Sequence, residues 1–201
     1  MTSGADIRPE YAVEEFAVGA RNIGVVSQLG AAAQTFFFVA FLFAFFYLRA
    51  LNTDGRWNQH HLHPSRAYGV AILLCIVGSV AATWLGAWST RTGNMRAWRL
   101  GMGGAILLAL SAMGIQSAEY ANLGFGPGDG SFASVFLGWT GLYLVNVLAV
   151  VYWLTALLSE SFNRLGRPLE LLRPTAEGLA LYWAVLGVVE AGAFLLLFVV
   201  R

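Results

Sequence analysis

Two carboxylates set inside apolar sequence are the residues best placed to do chemistry in this chain. Glu119 lies near one end of an apolar stretch, three residues after Gln116 and next to Tyr120. Glu190 lies close to the middle of another, and Asn146 close to the middle of a third, with Tyr143 about one helical turn before it. Gln34 interrupts a fourth. A carboxyl group in hydrocarbon takes up a proton unless a cation pairs with it, and no Arg lies at matching depth beside Glu190. Held neutral, such a group is an interhelical hydrogen-bond donor. Free to exchange its proton, it relays protons or meets a lipid headgroup. The structural role is the first expectation for both carboxylates, more so for Glu119. Glu190 and Asn146, on neighbouring stretches at similar depth, are expected to pair in the interior. No catalytic residue is expected: no Ser-His-Asp set, phosphate loop or paired carboxylates are present.

Metal chemistry has one candidate. His60, His61 and His63 fall within four residues, in the run from Trp57 to Pro64. Three imidazoles so close can bind zinc or copper. The run has no cysteine and only Asp54 nearby, so a solvated loop touching a partner is expected and no metal site is assigned. No apolar stretch contains a histidine, which leaves no intramembrane imidazole for haem or copper. The single cysteine, Cys75, allows no intrachain disulfide and no cysteine-built metal centre.

The elements that carry these residues follow from composition. Of 201 residues, 58% are hydrophobic and 11% charged, against roughly 25% charged in soluble domains. Apolar stretches run over 24–48, 68–88, 100–123, 132–158 and 176–200. Each is long enough to cross a hydrocarbon core of about 30 Å. In lipid each must be a helix, because backbone groups there have only one another as partners. The prediction is an all-α membrane protein: a bundle of five transmembrane helices in one domain, 24–201, preceded by a polar segment, 1–23. That segment lacks the charged-then-apolar order of a cleavable signal peptide. A net charge of +1 gives no reason to expect a nucleic-acid partner.

All the basic residues are Arg. Arg8, Arg21, Arg91, Arg96, Arg99, Arg164, Arg167 and Arg173 fall on one side of a five-span topology. Arg49, Arg56, Arg66 and Arg201 fall on the other. That bias predicts a cytoplasmic N-terminus and an outer C-terminus. Trp88, Trp98, Trp153 and Trp183 then lie near the cytoplasmic boundary, as an aromatic belt would. Gly101, Gly103, Gly104, Gly187, Ala191 and Gly192 mark faces expected to pack closely on protein. Phe36, Phe37, Phe38, Phe41, Phe43, Phe45 and Phe46 surround the first span, so some of these rings must face lipid or a partner.

Order and spacing of the motifs resemble subunit III of the haem-copper oxidases, in its short five-helix bacterial form. Gln116-Ser-Ala-Glu119-Tyr120 is similar to the family's Gln-x-x-Glu-Tyr, and a Gly-rich loop, 124–130, follows it. Ser134-Val-Phe136 through Thr140-Gly141-Leu-Tyr143 to Asn146-Val147 is similar to Ser-x-Phe-x-x-x-Thr-Gly-x-His-x-x-His-Val. Tyr182-Trp183 stands where the family has Tyr-Trp-His-Phe-Val-Asp, and Gly55-Arg-Trp57 resembles its Gly-x-Trp. The chain departs from the pattern at Tyr143, Asn146, Ala184 and Gly187, which replace two histidines, a third histidine and an aspartate. The glutamate expected midway along the first span falls within 36–38, and Glu190 stands where an aromatic residue is usual.

The resemblance implies an accessory, non-catalytic subunit in a bacterial plasma (inner) membrane. Its partners would be the catalytic haem-copper oxidase subunit I, other subunits and phospholipid. No cofactor would sit on this chain, with haem and copper on the catalytic partner. Glu119, Glu190, Asn146, Tyr143 and Gln116 are the candidate proton or lipid residues. The complex would reduce oxygen; its nitric oxide reductase relative is the alternative. A small transporter using Glu190 and Asn146 is an alternative of another class, without the inverted repeat or broken helix pair such proteins show.

Overall fold

The computed structural model describes residues 9–52, 57–58, 63–162 and 168–200, with the side chains of the first helix described from Val18 onward. Five α-helices make up the fold: α1 (Pro9–Ala50), α2 (Arg66–Thr92), α3 (Met95–Ala121), α4 (Ser131–Glu160) and α5 (Leu169–Phe194). A π-helical segment, Leu195–Val200, continues α5. All five are long and apolar enough to cross a membrane, and no strand occurs among the described residues. Helix α1 runs unbroken through the polar-to-apolar change of sequence near residue 23.

Helix α5 is the hub, packing on α1, α2 and α4, while α3 packs chiefly on α2 and also on α4. On α3 the buried positions are Trp98, Met102, Ala105, Ala109, Ala112, Gln116 and Glu119. Their spacing alternates between four and three, the seam of two helices crossing at a shallow angle. Three alanines on that seam let α2 approach closely. The closest point is Gly101, where a Cβ would stand 2.7 Å from the Gly86 backbone and 2.9 Å from Ala82 O. Gly103 and Gly104, expected on a packing face, have nothing within 4 Å of such a Cβ.

Turns fix the helix pairs. Gly93 adopts φ 66°, left-handed backbone that favours glycine. Asn94 then caps α3 by accepting from Ala97 N at 3.1 Å. The α1–α2 connection is held through Trp57, whose N–H donates to Asn52 Oδ1 at 2.9 Å. Its carbonyl accepts from Phe132 N at the start of α4, at 3.0 Å. The Trp57 ring stands edge-on to Phe45 and Phe132. This tryptophan therefore ties three segments together. At the end of the chain, Arg66 Nε donates to Phe198 O at 3.2 Å, meeting a carbonyl the π-helical segment leaves open.

Two of the four tryptophans expected at the membrane boundary face the core of the bundle. Trp98 and Trp183 are fully buried, while Trp88 is 63% exposed. The Trp183 indole N–H donates to Ser79 Oγ at 3.0 Å, and Ser79 Oγ donates to Ala105 O at 2.8 Å. One serine thus joins α5, α2 and α3. On α1 the rings divide as their number requires: Phe38 and Phe45 are buried, whereas Phe36, Phe37, Phe43 and Phe46 are exposed.

Gly101→Val places two methyl groups against the α2 backbone, which has no side chain to move aside. A loss of about 1–3 kcal/mol is expected, read as a lower unfolding midpoint in detergent. Gly103→Ala, with open space, should leave the midpoint unchanged.

Candidate functional site

A polar cluster lies among α3, α4 and α5, toward the C-terminal end of α3. Gln116 Nε2 donates to Glu119 Oε2 at 2.8 Å within the protein. Glu119 is 2% exposed, and its second carboxyl oxygen has no hydrogen-bond partner. Tyr120 Oη donates to Thr140 Oγ1 at 2.7 Å, and Thr140 donates to Phe136 O at 2.7 Å. Tyr143 Oη donates to Leu186 O of α5 at 3.1 Å. Glu190, 7% exposed, lies one helical turn beyond that carbonyl. It is within electrostatic reach of Glu119, Tyr120 and Tyr143. Neither carboxylate has an Arg partner among the described ion pairs.

Helical phase brings these groups together. On α3, residues 116, 119 and 120 share the face that meets α4. On α4, Thr140 and Tyr143 belong to the buried row that runs from Phe132 to Leu157. Tyr120 and Thr140 complete the cluster although polarity alone does not single them out. The signal for both is their place in the two motifs that carry Glu119 and Tyr143.

Asn146 belongs to a different group. Its Nδ2 donates to Leu142 O at 3.0 Å and its Oδ1 accepts from Tyr182 Oη at 3.1 Å. Gln34 of α1 shares the wall of a groove with Asn146. The expected Glu190–Asn146 pair is therefore replaced. Residues 143 and 146 lie about 60° apart around α4, enough to turn Tyr143 inward to Leu186 and Asn146 toward α1. Similar depth brought the two candidates together in sequence, and helical phase separates them in space.

At the opposite end of the bundle, Glu177 Oε1 accepts from Arg91 Nη2 at 3.0 Å and from Arg173 Nε at 2.9 Å. A groove of about 670 Å³ between α1, α2 and α5 contains this trio, with Ser27, Gln28 and Thr90 in its wall. Half-exposed ion pairs of this kind contribute little stability. Among the described residues no three His, Cys, Asp or Glu side chains gather as a metal site. His60 and His61, with Asp54, lie outside the described residues.

What the cluster can do follows from its groups. The hydroxyls of Tyr120, Thr140 and Tyr143 donate to protein acceptors and cross-link α3, α4 and α5. The carboxyls of Glu119 and Glu190 are the two acidic groups there. No nucleophile–base pair is present in the cluster.

Residues 15–200 match the family described as cytochrome c oxidase subunit III. Cytochrome c oxidase subunit 3 of Osphranter robustus and of Oryctolagus cuniculus are each 27% identical over 137 residues, which is 65% of this chain and 52% of each relative. The subunit 3 of Pyricularia grisea is 30% identical over 142 residues, 68% of this chain and 52% of that protein. The chain thus spans about half the length of the curated relatives it matches.

If the Tyr120–Thr140 contact couples α3 to α4, Tyr120→Phe and Thr140→Val should each lower the unfolding midpoint. The double variant should lose less than the sum, by about 1 kcal/mol. Strictly additive losses would show that the hydroxyls do not act as a pair.

Proposed function

The chain belongs to the cytochrome c oxidase subunit III family, and on that premise we propose that it is an accessory subunit of a respiratory haem-copper oxidase. It is a multi-pass membrane protein with five apolar helices. In this reading it docks on the catalytic subunit, stabilises it, and leaves oxygen reduction to the haem and copper held there. The single observation that carries the reading is the family match over residues 15–200. Oxygen is preferred to nitric oxide as the acceptor because the matched relatives are subunits of cytochrome c oxidase.

Within that reading, 24–201 acts as one membrane domain with 1–23 on the cytoplasmic side of a bacterial plasma membrane. The Arg bias supports this orientation. Exposed rings on α1, Phe36 and Phe43 above all, suit a contact with a larger subunit. A stable contact of that kind buries more than about 1,000 Å². The Gln116–Glu119 bond and the Tyr120–Thr140 bond support a structural part for the polar cluster. The transporter alternative needs Glu190 and Asn146 at one site, and Asn146 is bonded to Tyr182 instead.

Purification of the chain from its native membrane should bring haem absorbance with it, whereas the chain isolated from its partners should hold neither haem nor copper in stoichiometric amount. Recovery of the chain free of any haem protein would overturn the reading. Glu190→Gln, which keeps size and hydrogen-bonding capacity, should preserve both assembly and turnover. Slowed turnover in a fully assembled complex would instead give Glu190 a part in proton movement.

A further inference from the structure

The groove of about 670 Å³ between α1, α2 and α5 lies at the end of the bundle where α2 finishes and α5 begins. Its wall holds two arginines from different helices: Arg91 in the last turn of α2, and Arg173 near the start of α5. Both donate to one atom, Glu177 Oε1, at 3.0 and 2.9 Å. One carboxylate thus holds two guanidinium groups side by side and balances only one of their charges. Half-exposed ion pairs stabilise a fold little, so the effect of this trio is positional. It gathers cationic donors at the mouth of a groove.

Most of those donors are unused. A guanidinium carries five N–H groups. Arg173 gives Glu177 its Nε–H, and Arg91 gives one N–H of Nη2. No other hydrogen bond of either guanidinium is described, and the side chains are 50% and 47% exposed. The terminal fork of Arg173 is therefore open to an incoming anion. So are Nε and Nη1 of Arg91. Glu170 stands at the rim on the same side of α5, seven residues before Glu177, and is exposed. It accepts an N–H or O–H from whatever enters.

These groups select the occupant. A carboxylate has two oxygens and is satisfied by one guanidinium fork, whereas a phosphate has a third oxygen for a second arginine. Ser27, Gln28 and Thr90 stand in the same wall, and Gln28 is exposed. An acyl chain has no use for them, and the grooves between α2 and α3 and between α1 and α4 are mainly apolar by contrast. The volume is that of a small-molecule site. We propose that the α1–α2–α5 groove binds a water-soluble organic phosphate of about nucleotide size, its phosphate on Arg91 and Arg173 and its hydroxyl or amino groups toward Glu170 and Gln28. The proposal does not rest on the oxidase reading, because every group in it belongs to this chain.

The full chain, purified from its native membrane, is dialysed to equilibrium against radiolabelled adenosine monophosphate and, separately, against inorganic phosphate. The nucleotide should bind saturably, with a dissociation constant of about 10⁻³ M or below, and more tightly than inorganic phosphate. Arg91→Gln and Arg173→Gln should each weaken both probes about tenfold. Gln28→Ala should weaken the nucleotide about fivefold and leave inorganic phosphate unchanged. Arg96→Gln, exposed on α3 and outside the groove, should change neither. If the glutamine variants fail to accumulate, Arg173→Lys decides: it keeps the charge on α5, gives up the fork, and should still weaken both probes. No saturable binding of either probe at about 10 mM would overturn the proposal, as would undiminished binding in Arg173→Lys or an equal loss in Arg96→Gln. A phospholipid that stays on the chain through delipidation, blocks the nucleotide and is lost in Arg173→Gln would assign the arginines to a headgroup, and overturn it as well.

Discussion

Hydrocarbon offers no hydrogen bonds, and that constraint governs this chain from its backbone to its last side chain. It forces every crossing segment to be a helix, and it then requires each polar side chain within the crossings to find a protein partner. Ser79 shows one way in which that demand is met. Its hydroxyl donates to Ala105 O and accepts from the Trp183 indole. It thereby uses both functions of one small group to join three helices. Thr83, Thr140 and Tyr143 follow the same economy, turning back to a carbonyl of their own helix or across to a neighbour.

Close packing supplies the rest of the cohesion. Lipid tails are as apolar as leucine, so helices here gain little from hiding apolar surface and more from contact at short range. The α2–α3 seam shows the result, with Gly86 facing Gly101 and alanines at successive seam positions. Where the seam ends, aromatic rings take over. Phe45, Trp57, Phe132, Phe136 and Phe198 follow one another with centroids 5.1–6.2 Å apart, carrying the core from the α1–α2 connection to the end of the chain.

Depth along a span was legible in the sequence, and direction around it was not. The five helices follow from apolar length alone, and Gln34 and Asn146 sit at mid-span as counting along the stretches implies. Burial of Glu119 and Glu190 follows from cost. Partner choice needs the rotation of each helix and the identity of its neighbours, which no single stretch encodes. Glu190 and Asn146 share an approximate depth yet face different helices. Trp98 and Trp183 have the depth of boundary residues, but their faces point into the core. Gly103 and Gly101 are equally small and two residues apart, so they lie about 160° apart around α3. Only one of them meets α2.

The departures from the family pattern also acquire a physical meaning. Positions 143 and 146, where the resembling pattern carries histidines, hold a phenol and an amide. Neither exchanges protons near neutral pH, yet each keeps a hydrogen-bonding end: Tyr143 donates to Leu186 O, and Asn146 accepts from Tyr182. Gln34, mid-span on α1, is likewise an amide. These two bonds thus keep α4 cross-linked to α5 without an imidazole at either position.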